Sequence, residues 1–214
     1  MPRVCSSGGD AVTDSARIPW AVAKHAADLA LAELAPYCER IEIAGSLRRC
    51  RPDVKDIEIV AVPRFFAAPK DMLGNPVGAA ADMLTVYLEA QIKSTLSPWS
   101  FRLSKAGHAA FGPLNKLLLF TPPGSASAIS LDLFTASASN WGRDMWVRTG
   151  PARWNQATAT RALRRGMKFH AYGPAAFTRD GKPTTCATEE DFAAVLRMPC
   201  TPPVQRTDEA ARAL

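Results

Sequence analysis

The chemistry available to this sequence sits in three acids. Asp56 and Glu58 are separated by one residue in DIEIV, and Asp132 lies in the middle of ISLDLF. Side chains alternate across a strand, so a strand here puts Asp56 and Glu58 on one face and Ile57 and Ile59 on the other. By the same rule Asp132 points away from Ile129, Leu131 and Leu133. If the two strands are neighbours in one sheet, the three carboxylates converge, and like charges repel there unless a proton or a cation compensates them. A hard divalent ion does so, Mg²⁺ above all, because one or two carboxylates and substrate phosphates usually hold it. The plainer alternative is a pair of solvated acids on the wet face of a strand.

Gly45-Ser46, upstream of the first two acids, weighs against that alternative. A Gly-Ser turn lets backbone N–H groups approach a ligand closely and form an anion-binding concavity. Arg48, Arg49, Arg51 and Lys55 would add charge-assisted hydrogen bonds. Phosphate cradle, basic residues and acids in so short a stretch are what nucleotidyl transfer requires. The triphosphate is oriented, one ion activates the attacking oxygen, and a second stabilises the pyrophosphate leaving group.

The elements that must position these residues follow from periodicity. Apolar steps of three and four predict an amphipathic helix over 19–38, with Pro19 in its first turn. A strand over 41–44, the Gly-Ser turn, a helical piece over 47–50 and a strand over 57–62 come next. The connection from 64 to 112 carries a helix over 79–95 and no assignable chemistry. Runs over 116–120 and 129–134 flank a turn-rich TPPGSAS and predict an antiparallel hairpin. The stretch 141–172 holds seven basic residues against the single acid Asp144, with Trp141, Trp146 and Trp154 interleaved, which makes it a candidate phosphate-binding face. A short helix capped by Thr188 follows, and the end is Pro-rich. We expect the tryptophans to pack in a core more readily than to stack on bases.

Composition sets the frame. With 214 residues, 47% of them hydrophobic, the chain buries a core, and a formal charge of +6 favours acidic partners. Five cysteines without CxxC spacing indicate neither a zinc site nor a disulfide framework, and the three histidines have no partner at catalytic spacing. No signal-like or membrane-spanning stretch is present, so a cytoplasmic or otherwise intracellular protein that is not secreted is expected. The expected organisation is a flexible tail over 1–15, a catalytic domain over 16–148, a smaller domain over 149–206 and a C-terminal tail over 207–214.

On these residues the chain resembles the DNA polymerase beta-like nucleotidyltransferase superfamily, whose pattern is G-S, then D-x-[D/E], then a later strand aspartate. The likeness is closer to the family X DNA polymerases. It runs from Arg17-Ile18-Pro19 to Pro202-Pro203, with GSLRR, DIE, ISLDLF and RTGPARWN in order. The resemblance implies an α+β fold: a nucleotidyltransferase palm with a mixed or antiparallel sheet flanked by helices, plus a small α+β thumb. It implies that Asp56 and Glu58 bridge two Mg²⁺ ions, with Mn²⁺ as a substitute, and that Asp132 serves the catalytic ion and accepts the primer 3′-OH proton. Gly45, Ser46 and Arg49 would hold the triphosphate with help from Arg17 and Lys55. Thr149 and Gly150 would border the nucleotide sugar, and Asn155 would read the minor-groove edge of the incoming base. A cis Gly150–Pro151 bond is expected as well.

Arg148, Arg153, Arg161, Arg164, Arg165 and Lys168 make up the expected DNA-binding face. The partners implied are dNTP and gapped or nicked primer-template DNA, bound by a monomer. The sequence departs from the family pattern at Glu58, where aspartate is usual, and at Val147-Arg148, where an aromatic pair often borders the sugar. It departs again at Ser130, where an arginine can orient the acids, and at Lys55, often glycine. The likeness begins at the palm, without lyase or fingers domains, a minimal form we expect of viral or phage genomes. Three functions stay open at this point: a template-directed DNA polymerase acting in repair, a template-independent nucleotidyltransferase acting on RNA, protein or a small molecule, and a weakly active nucleic-acid-binding protein.

Overall fold

The structure is a computed structural model that describes residues 17–67, 71–73, 75, 77, 80–103 and 107–214. The expected tail over 1–15 lies outside the described residues. A two-residue strand β1 (Ile18–Pro19) leads into α1 (Trp20–Leu34), β2 (Cys38–Ile43), α2 (Gly45–Arg48), β3 (Asp53–Val54) and β4 (Ile57–Pro63). Then come α3 (Met83–Lys93), β5 (Trp99–Phe101), β6 (Asn115–Phe120) and β7 (Ile129–Thr135). The C-terminal part contains α4 (Trp141–Thr149), α5 (Ala152–Arg164), β8 (Lys168–Phe169), β9 (Phe177–Arg179), β10 (Lys182–Thr184) and α6 (Glu189–Val195).

Five strands form one sheet in the order β2-β4-β7-β6-β5. The β4–β7 pair is parallel and the other pairs are antiparallel, so the sheet is mixed, as the fold-class expectation allows. Ile57, Ile59, Leu131 and Leu133 face α1 and α3 and build the main core with Ala23, Ala27, Ala30, Leu84 and Leu88. Alanines along α1 let its backbone approach the sheet closely, and larger side chains on the strands fill the space between. The opposite face carries Val60, Val62 and Phe134 against Trp141 and Met145 of α4. A third cluster joins α4, α5 and α6 to β9 through Trp146, Trp154, Phe177 and Phe192. Helix α4 therefore serves two cores at once, Trp141 and Met145 facing the sheet and Trp146 the C-terminal part.

Several boundaries differ from the periodicity reading. Helix α1 ends at Leu34 because Pro36 turns the chain into a 3₁₀ segment, and Cys38 already begins a strand that pairs with β4. Pro19 is the residue before the helix, not within its first turn. Helix α3 starts at Met83, where Asp82 caps it by accepting from the Thr85 N–H at 3.1 Å and the Thr85 hydroxyl at 2.6 Å. The Thr188 cap is present and reciprocal, with Asp191 completing a capping box. A methyl group on Gly142 would lie 1.9 Å from the Thr188 carbonyl oxygen, so only glycine lets α4 pack against the start of α6.

Residues 207–214 do not trail as a tail. Ala211 is buried, Leu214 packs on the C-terminal core, and the Arg161 guanidinium donates to the Leu214 carbonyl at 3.2 Å. Trp141, Trp146 and Trp154 are each 3% exposed or less, so none is available to stack on a base. Among the described residues no helix is long and apolar enough to cross a membrane.

Candidate active site

Strand register does what alternation anticipated: β4 and β7 pair with Glu58 opposite Asp132. Asp56 is a correction in detail, since it precedes β4 in a bend and is not a strand residue. Helix α2 packs over this end of β4, and the Ala44 N–H donates to the Glu58 carbonyl at 2.8 Å. Gly45 has φ +64°, and a methyl group there would meet Glu58 Oε2 at 1.9 Å. Close approach of the Glu58 side chain is thus what requires glycine here, a reason the sequence reading had assigned to a phosphate.

Burial, together with the charges of Asp56 and Asp132, pushes the Glu58 carboxyl up to about 7, although Arg49 and Arg148 oppose the shift. The Asp132 carboxyl is also raised by burial, against an ion pair to Arg102 at 2.5 Å. Burial and mutual repulsion therefore disfavour full ionisation of Glu58 and Asp132 without a cation, and their oxygens are the donors a hard cation prefers. Among the described residues no three acid, histidine or cysteine side chains stand together at ligating geometry. The cluster thus has the donor chemistry of a magnesium site but not its closed arrangement.

Arg102 is a site residue that the sequence reading missed. It follows β5, its N–H donates to the Leu117 carbonyl at 3.1 Å, and Leu117 pairs with Asp132, so the strand order carries it across the sheet to that acid. It supplies the guanidinium that Ser130 lacks. Its signal was only an arginine past a short apolar run, unreadable without the pairing of β5, β6 and β7.

Beside the acids lies a cleft of about 520 Å³ lined by Arg17, Ser46, Arg49, Arg51, Lys55, Asp56, Glu58, Pro151 and Asp208, among others. Asp132 is not among its lining residues. Pairing of Ile18 with Val54 brings Arg17 to its mouth, where it meets Asp53 at 2.6 Å. Arg49 donates to the Thr149 carbonyl, and its Nε has no hydrogen-bond partner among the described residues. Burial lowers the pKa of that guanidinium, with Glu58 acting in the opposite direction.

Arg48, expected to assist phosphate binding, is committed elsewhere. It donates to Thr149 Oγ1 at 2.8 Å and to Glu189 at 2.7 Å. Glu189 also pairs with Arg206 at 2.8 Å, and Arg206 lies over the Trp146 ring at 4.1 Å. Burial opposes ionisation of Glu189, but the two arginines prevail and hold its carboxyl below the usual range. The network fastens α2 to the C-terminal part of the molecule.

Thr149 is buried, and the Gly150–Pro151 bond is cis as expected. Asn155 turns inward: its Nδ2 donates to the Val147 carbonyl at 2.7 Å, and Oδ1 is buried without a partner. Reading a base edge would need that side chain to rotate. The expected DNA-binding face divides. Arg153, Arg164 and Lys168 are exposed and Arg165 is partly so. Arg161, by contrast, donates to the carbonyls of Leu196, Arg197 and Leu214, and a contact to DNA is corrected to a structural role. Arg148 stacks its guanidinium over Phe134 at 3.6 Å and near Tyr172 at 5.1 Å, and its charge opposes the rise of the Glu58 carboxyl.

Comparison with known families adds an independent finding. Residues 145–207 match the family described as DNA polymerase beta thumb, a stretch that runs from within α4 to just past Arg206. No curated protein matches the chain. The likeness is to a polymerase part that implies interaction with DNA, and it makes a polymerase-like or nucleotidyltransferase relative the coarse description the chain supports.

Proposed function

We propose that the protein is a DNA-directed DNA polymerase of the family X type, adding dNTPs to a primer 3′-OH on gapped or nicked DNA in repair. One observation carries the proposal: Glu58 and Asp132 face each other across adjacent strands, next to a cleft that combines Asp56 with Ser46 and Arg49. The thumb likeness of residues 145–207 supports placing this site against DNA.

Asp56, Glu58 and Asp132 would hold two Mg²⁺ ions, or Mn²⁺ in their place. Once bound, the ions would lower the pKa of the attacking hydroxyl and neutralise the departing pyrophosphate. In this scheme Ser46 and Arg49 bind the β and γ phosphates, with Arg17 and Lys55 at the mouth. Asp132 accepts the proton of the 3′-OH, a task suited to a carboxyl whose burial has raised its affinity for protons. Arg102 keeps that carboxylate in place. The 3′ oxygen forms a bond to the α-phosphorus, the bond to the bridging oxygen breaks, and its electrons leave with pyrophosphate. Thr149 and Gly150 border the sugar. Arg153, Arg164 and Lys168 contact the DNA backbone, which is where most of the affinity for a duplex originates.

Primer extension on gapped, recessed and template-free DNA, with dNTPs and rNTPs in Mg²⁺ or Mn²⁺, tests the reading. Template-matched dNTP incorporation that Asp56→Ala loses is the expected result. Template-free addition would replace the polymerase by a terminal transferase. Intact DNA binding with no incorporation would leave a binding protein.

A further inference from the structure

The segment after Arg206 returns to the cleft. Arg206 is wholly buried and held by Glu189, and Thr207 accepts the Ala210 N–H at 3.0 Å, which shapes the turn that follows. Asp208 sits between these fixed points, exposed, and lines the same cleft as Arg49 and Ser46. Nothing in the phosphate-binding scheme calls for a carboxylate there. Its charge acts on the Arg49 guanidinium across the cleft, where a phosphate would bind.

Charge balance makes the effect specific. The cleft lining holds four basic and four acidic residues, and Asp208 is the fourth acid. Without it the formal balance favours any polyanion. With it the lining is neutral, and free polyphosphate meets a like charge at the end where its own charge is densest.

We propose that Asp208 is a charge gate on the phosphate end of the cleft, weighting binding against free polyphosphate and toward polyphosphate that arrives with its cations. The proposal rests on reading the cleft as a nucleoside triphosphate site. Asp208 lines the cleft together with Arg49, whose guanidinium donates to the Thr149 carbonyl. A triphosphate that binds Arg49 meets the Asp208 charge, and a cation-complexed one is repelled less.

Equilibrium binding of dATP to the full chain tests it, with wild type, Asp208→Asn and the exposed neighbour Glu209→Gln compared in EDTA and in Mg²⁺. Asp208→Asn binds free dATP about threefold tighter at low salt, as expected of removing one exposed charge. The gain shrinks in Mg²⁺ and vanishes near ~0.5 M salt, where screening removes exposed interactions. Glu209→Gln matches wild type. Equal or weaker binding by Asp208→Asn, with wild-type binding intact, overturns the gate alone. An Arg49→Ala variant separates the two levels: if it loses dATP, the triphosphate reading stands whatever Asp208 does. If wild type binds no dATP in any condition, that reading falls and the gate with it.

Discussion

The sheet half and the C-terminal half of the molecule treat buried charge in opposite ways. In the C-terminal half three arginines find carbonyl or carboxylate partners. Arg161 is spent on three carbonyls, Arg143 on those of His170, Gly173 and Ala175, and Arg206 on Glu189. At the β4–β7 junction the answer is incomplete, and burial, together with the charges of Asp56 and Asp132, lifts the Glu58 carboxyl to about 7. Answered charges fix geometry. The unanswered ones mark where a ligand is expected to complete the balance, which is why the acids and not the many arginines locate the site.

That contrast can be broken at several points. The largest expected effect is on the acids: Asp132→Asn lowers the incorporation rate by about a thousandfold or more, with the far-ultraviolet circular dichroism unchanged. Removing Arg102 leaves Asp132 in place but less well oriented, so Arg102→Ala costs about tenfold in rate. The answered half responds in stability instead. Glu189→Ala leaves Arg48 and buried Arg206 without their carboxylate and costs about 3–5 kcal/mol in urea unfolding.

Glu58 makes a pH prediction of definite sign. Its carboxyl binds a proton more tightly when folded, about 7 against an ordinary 4.5, so it favours the fold fully below 4.5 and loses that contribution as pH rises to 7. The cation-free protein should therefore lose up to about 3 kcal/mol of stability across that window. Thermal melts of Glu58→Gln should be flatter with pH than those of wild type. The smallest effects separate two arginines of one helix. Arg161→Ala destabilises by about 1–3 kcal/mol. Exposed Arg164→Ala leaves stability alone, weakens DNA binding and lowers its salt slope by about one.

Local rules carried part of this architecture. Alternation put Glu58 and Asp132 opposite their core-facing neighbours, the β6–β7 hairpin was legible from two apolar runs around a turn, and Thr188 announced α6. What stayed hidden depends on pairing between distant segments. Strand order placed Arg102 on Asp132, and the return of the chain past Arg206 placed Asp208 in the cleft. Composition also misled, because an arginine answered by carbonyls, as Arg161 is, cannot be told in sequence from one that faces solvent, as Arg164 does. Gly45 was legible as a position that must be small, but the neighbour responsible is Glu58.

The central claim is that the acids at the β4–β7 junction transfer a nucleotide to a DNA end. Single-turnover incorporation of one dNTP into a one-nucleotide gap, measured in Mg²⁺ with wild type and Asp56→Ala at matched DNA occupancy, tests it most directly. The account predicts extension by the template-matched nucleotide for wild type, and for Asp56→Ala unchanged DNA affinity with a rate at least about a thousandfold lower. Equal rates for the two proteins would contradict it.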